Sequence, residues 1–101
     1  MAAFLCRLLP PRPTFPMDMT DAERKVMEAH VAYWTGLARE GKAVAFGPVG
    51  DPKGPWGCGI VEVADEAAIK SLTSRDPAMT GGIGMTYEIL PMPRLVTRDR
   101  V

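Results

Sequence analysis

Metal ligands are scarce in this chain. Its 101 residues include one histidine and two cysteines, Cys6 and Cys58. The cysteines form no CxxC and have no histidine at ligand spacing, whereas a structural zinc site gathers about four such ligands. The sequence therefore predicts no metal. Charge of one sign is lacking too, since 12 basic residues balance 12 acidic ones. Nucleic-acid binding draws on clustered Lys and Arg that release phosphate counterions. The only local basic excess is Arg94, Arg98 and Arg100 near the end, diluted by Asp99, and it reads as a solvated tail. Long hydrophobic runs are also missing. No stretch approaches the ~20 apolar residues of a membrane span. The opening MAAFLCRLLPP has no basic leader and is interrupted by Arg7, so it reads as a strand and not as an export signal. Two thiols outside any disulfide framework fit a reducing cytoplasm.

Known catalytic and cofactor motifs are absent as well. There is no G-x-S-x-G elbow, and no serine or cysteine neighbours the histidine in sequence. The glycine-rich stretch GPVGDPKGPWGCG does not open a helix, which excludes a dinucleotide fingerprint or a phosphate loop there. No cofactor is expected.

What the chain does have is the composition of a globular protein, 47% hydrophobic and 24% charged. Its length suits one domain over residues 1–101, with a core of about 3–92 and a tail from 93. A first strand is predicted over Ala3 to Leu9. Pro10 to Met19 follows, expected to be non-helical because four prolines remove donors and fix φ. A helix begins at the capping box of Thr20 and Glu23 and stops at Gly41. Strands are predicted over Lys42 to Val49 and Trp56 to Val63, joined by a hairpin in which Asp51-Pro52-Lys53-Gly54 suits a type I turn. A second helix runs from its cap Asp65 to about Ser74, an irregular link covers Arg75 to Gly82, and a fourth strand covers Ile83 to Leu90. The tail from Pro91 could supply a short edge strand.

The order β-α-β-β-α-β is that of a ferredoxin-like α+β domain with an antiparallel sheet. Two helices cover one face of such a sheet. Yet AAFLCRLL, AVAFGPV and WGCGIVEV do not alternate apolar with polar residues, so they read as strands buried on both faces. A second copy of the chain, packed sheet against sheet, is the economical cover. The expected architecture is a homodimeric α/β barrel.

The lone histidine, His30, falls in the apolar stripe of the first long helix. At roughly 100° per residue it projects among Val26, Met27, Trp34 and Leu37. Imidazole exchanges protons near neutrality, so a ring aimed at the core can serve as general acid or base. The competing reading is a structural histidine satisfied by a neighbour. Asp76, directly before Pro77, also has two readings: the cap of a short turn, or the partner that orients His30 and stabilises its protonated form. Reach is the difficulty, because the second helix ends roughly 15 Å from the middle of the first. The link can close that gap only by folding back along the helix. Trp34, one turn from His30, would wall any pocket there. Gly57 and Gly59 bare one face of the third strand, which suggests close approach of a helix, a ligand or another backbone. Arg12, in the loop leaving the first strand, is a candidate anchor for a substrate carboxylate.

These pieces resemble the YciI-like (YCII-related) family of small dimeric α/β-barrel proteins over about residues 3 to 92. The resemblance rests on HVAYWTGLAREGKAVAFGPVGDPKGPWG, IVEVADEAAIKSL and SRDPAM. It implies that His30 and Asp76 form an active-site pair, and it marks Gly47 and Pro48 of the G-P-V segment as pocket residues. It further implies a lyase or dehydrohalogenase role, related in fold to muconolactone isomerases. The expected function is therefore cofactor-independent proton transfer on a small organic acid. A non-catalytic dimer that binds or senses a small ligand in the same pocket is the alternative.

Overall fold

The computed structural model describes residues 1–98. Asp99, Arg100 and Val101, part of the basic tail, lie outside the described residues. Four strands form one antiparallel sheet: β1 (Ala2–Leu9), β2 (Ala43–Val49), β3 (Trp56–Val63) and β4 (Thr86–Met92), in the order β2-β3-β1-β4. Between β1 and β2 lie α1 (Phe15–Asp18) and α2 (Asp21–Arg39), and between β3 and β4 lie α3 (Glu66–Ser74) and α4 (Pro77–Thr80). This is the expected ferredoxin-like α+β fold.

Local chemistry sets the long helix. Thr20 Oγ1 accepts from the Glu23 N–H at 3.1 Å while the Thr20 N–H donates to Glu23 Oε1 at 2.9 Å, which satisfies two donors the helix leaves open. At the other end Gly41 adopts φ 82°, and the N–H groups of Gly41 and Lys42 donate to the carbonyls of Ala38 and Leu37. That left-handed turn favours glycine and closes the helix as a Schellman motif. In the β2–β3 hairpin the Gly54 N–H donates to the Asp51 carbonyl at 2.9 Å, as the turn sequence predicts.

Two departures from the sequence reading share one cause, and a third has its own. Phe15–Asp18 is a short helix inside the proline-rich link, and Pro77–Thr80 is another inside the segment expected to be irregular. Pro16 and Pro77 both occupy the first turn, where a missing N–H costs nothing and a fixed φ suits the helix. Proline there starts a turn. β4 begins at Thr86 and not at Ile83, because Gly82 and Gly84 take φ 66° and 83° and bend the chain first. It runs on to Met92, and Pro93 to Arg98 form no edge strand.

The core lies on one face of the sheet. Phe4, Cys6 and Leu8 of β1 are buried, whereas Ala3, Leu5, Arg7 and Leu9 on the opposite face remain partly exposed. Phe4, Val61, Val63, Ile69, Leu72, Leu37 and Trp34 pack as the main cluster. A second cluster, Leu8, Phe15, Ala78 and Met85, lies beneath the proline-rich strap. The sequence expected these strands to be buried on both faces, but this chain's own helices cover only one. Among the described residues no helix is long and apolar enough to cross a membrane.

Candidate functional site

Three elements converge on one carboxylate. Asp76 caps α4, its Oδ1 accepting from the Ala78 N–H at 2.9 Å. The same side chain, 0% exposed, accepts from His30 Nδ1, which lies 2.8 Å from Oδ2 and 3.0 Å from Oδ1. Oδ2 accepts from Trp34 Nε1 at 2.9 Å as well, and from the hydroxyl of Tyr87 on β4. Asp76 is thus at once the cap of α4 and a hydrogen-bond partner of His30.

The reach is achieved by folding the link back. α4 packs against α2, and Gly81 makes the close approach feasible. A Cβ there would lie 2.8 Å from Val26 Cγ2 and from the Pro77 carbonyl. Glycine at this position lets the start of α4 sit beside the middle of α2 and not at its end.

Burial pushes the Asp76 carboxyl up, but hydrogen bonds from His30, Tyr87, the Ala78 N–H and Trp34 outweigh it and hold the group below its ordinary value. An ionised Asp76 can only accept, so Nδ1 keeps its proton and donates it in the hydrogen bond, which fixes a neutral imidazole in that tautomer. Nε2 is then the ring nitrogen without a partner among the described residues. It is not sealed in, because no buried side-chain nitrogen or oxygen among the described residues lacks a hydrogen bond.

His30 borders a cavity of about 260 Å³ between α2, the strap and the inner sheet face. Trp34, Phe46, Pro48, Gly57, Met27 and Phe15 contribute to its wall, and Gly47 lies there too. The register explains the space. Pro48, Gly57, Leu8 and Tyr87 form one inner row, and Phe46, Gly59, Cys6 and Ile89 form the next. A Cβ on Gly59 would lie 2.5 Å from the Trp34 ring, so that glycine is where the indole rests on the sheet. Burial and then the neighbouring Cys58 push the Cys6 thiol up to about 12, and burial raises Cys58, so both cavity-lining sulfurs stay protonated. Among the described residues no group of three or more His, Cys, Asp or Glu side chains could hold a metal ion.

Arg12 is the site residue that the structure puts elsewhere. Its guanidinium forks onto Glu23 with two 2.8 Å bonds, and its Nε donates to Asp18 at 2.8 Å. It ties the strap to the start of α2 and does not line the cavity. The bidentate carboxylate match with Glu23 leaves the fork no free edge for a substrate. Tyr87 is the residue that sequence reasoning missed. The available signal was the alternation of TYEILPM, which puts Tyr87 and Ile89 on the inner face, where a phenol needs a hydrogen-bond partner.

No curated protein matches the chain. Among solved structures it is similar to 5-chloro-2-hydroxyhydroquinone dehydrochlorinase (TftG) from Burkholderia phenoliruptrix AC1100, in complex with 2,5-dihydroxybenzoquinone. The two share 20% identity and a TM-score of 0.57, covering 84% of this chain and 90% of that one. At that identity the likeness concerns the fold. The YCII-related domain matches residues 3–93, a span that contains the sheet except for its first residue, all four helices and the Asp76 cluster, and the chain therefore belongs to the YCII-related family.

Proposed function

We propose that this protein is a cofactor-independent enzyme of the lyase or isomerase type, with His30 as its general base. The observation that carries the reading is the His30–Asp76 pair at 2.8 Å on the edge of an apolar cavity. Nε2 takes a proton from an acidic O–H or C–H of the substrate. The electron pair left behind forms a new double bond. In an elimination it expels a leaving group, such as chloride, with its bonding pair. In an isomerisation the imidazolium returns the proton at another carbon. Asp76 stabilises the imidazolium between the two transfers. The dehydrochlorinase activity named for the similar structure supports the elimination form.

The lining bears on the substrate. Among the described residues no Lys or Arg borders the cavity, and Arg12 is engaged with Glu23 and Asp18. A bare carboxylate would be desolvated there without a counter-charge, at a cost of several kcal/mol. A small, weakly acidic molecule that enters uncharged suits the cavity better than the carboxylate substrate expected from the sequence. The decisive experiment measures initial rates against pH for a panel of halogenated hydroquinones and small unsaturated acids. Wild type should turn over at least one of them, and His30→Ala should lose roughly 10²–10⁴-fold of that rate while staying folded. A second reading, binding without chemistry, is favoured because, among the described residues, the other donors on the lining are indole and phenol groups already hydrogen-bonded and two thiols that burial makes weak acids. Saturable binding by several panel members with no turnover by any would select it.

The same proposal includes a homodimer. Ala45, Ile60, Leu5 and Leu90 form one row across the outer sheet face, and Leu90 is 43% exposed. A second sheet laid on that row would bury it. Sedimentation at micromolar concentration should give twice the chain mass, and a stable monomer would refute the assembly.

A further inference from the structure

Tyr87 comes to the cluster from the sheet, independently of α2 and α4. Its hydroxyl donates to Asp76 Oδ2, the oxygen that also faces His30 Nδ1 at 2.8 Å. Trp34 Nε1 reaches both, at 2.9 Å to Oδ2 and 3.0 Å to the Tyr87 oxygen. A phenol has one hydrogen. With the indole N–H pointing at its oxygen, that hydrogen is directed to the carboxylate. Burial, the hydrogen bond to Asp76 and the charge of Asp76 together push the phenol far above its ordinary value, so Tyr87 remains an O–H donor while the protein is folded.

We infer that Tyr87 is a positioning residue that acts through Asp76, its O–H competing with His30 Nδ1–H for Oδ2 and so setting how strongly the carboxylate holds the imidazolium. The inference rests on the reading of His30 as a base. Each hydrogen bond donated to a carboxylate weakens its attraction for a further proton donor. Without such competition a buried, ionised partner would attract the imidazolium more strongly, and the more tightly a ring is held charged the less readily it accepts a substrate proton. Other titratable groups lie nearby, and the Asp76 charge reaches Tyr33 as well as Tyr87. The Cys6 thiol on β1 stays protonated, Tyr33 on α2 donates to the Leu72 carbonyl at 2.7 Å, and Arg75 and Glu40 act on Tyr33.

The test follows the His30 ring signals by NMR against pH, in protein carrying no histidine tag so that His30 is the only histidine. Tyr87→Phe removes the competing donor, and the titration midpoint should move upward. Replacing tyrosine by 3-fluorotyrosine in a Tyr33→Phe background makes the Tyr87 phenol a stronger donor, and the midpoint should move downward relative to Tyr33→Phe alone. An upward shift in the first and a downward shift in the second support the inference, and the reverse pair overturns it. A midpoint unmoved in both, or moved in the same direction in both, overturns it, because a structural role would lower thermal stability without touching the titration. If Tyr87→Phe does not fold, the fluorinated protein decides alone: a downward shift supports the inference and no shift overturns it. No substrate is needed, so failure to find turnover on any panel would count against the enzymatic reading and leave this result standing.

Discussion

One helix and one sheet face build two different environments at their two ends. At the closed end Phe4 and Val61 of the sheet pack with Leu37, Ile69 and Leu72 in one buried cluster. At the open end the row of Pro48, Gly57 and Leu8 lacks a central side chain, and the strap bridges the remaining space with Phe15 and Met19. Trp34 stands on the boundary, its indole against Gly59 and its N–H on Asp76. The comparison teaches that the site needs no added domain or long insertion. Two glycines suffice, Gly59 to seat the indole and Gly57 to leave a cavity beside it.

Ile69→Ala at the closed end should cost the most, about 2–5 kcal/mol by chemical denaturation, because the fully buried side chain leaves a hole in dense packing. A cost near zero would mean that the two ends are not distinct. Asp76→Asn comes next, at roughly 1.5–3 kcal/mol near neutral pH, since it weakens charge-assisted bonds from His30, Trp34 and Tyr87. It carries a pH signature. The folded carboxyl lies below its ordinary value, so its contribution is complete above about pH 4, the unfolded value, and is lost as pH falls through the folded one. Stability of the wild type should therefore drop more steeply below about pH 4 than that of Asp76→Asn, and parallel acid limbs would contradict the depressed carboxyl.

Gly59→Ala should cost about 1–3 kcal/mol, because the new Cβ meets the Trp34 ring at 2.5 Å and the ring cannot swing away without losing Asp76. Indole fluorescence should report the displacement. Val31→Ala sharpens the contrast from the other side. Val31 lines the cavity yet is 50% exposed, so its truncation should change stability by no more than about 0.5 kcal/mol while altering ligand affinity.

The sequence carried the fold in those segments where local signals and burial agree. The capping box, the glycine stop, the hairpin turn and the strand order were all legible. His30 was legible because a polar ring on an apolar stripe breaks the helical pattern. The short helices at Phe15 and Pro77 were not, since proline both breaks a helix and begins one, and only neighbouring contacts decide which. Arg12 illustrates the limit for function. A guanidinium in a loop suggests an anion site, but its partners Asp18 and Glu23 lie six and eleven residues away and become visible only once the strap folds. Tyr87 was hidden for a related reason: its meaning depends on a carboxylate from another element.

The central claim, that Asp76 fixes His30 in the Nδ1–H tautomer and leaves Nε2 able to act as a base, can be read from one spectrum. A long-range 1H–15N correlation of the ring, recorded on untagged protein at a pH where the imidazole is neutral, has a single histidine to report. The account predicts one tautomer, with the proton on Nδ1 and an unprotonated Nε2. A proton on Nε2, or the mixture of tautomers found for histidine free in water, would contradict it.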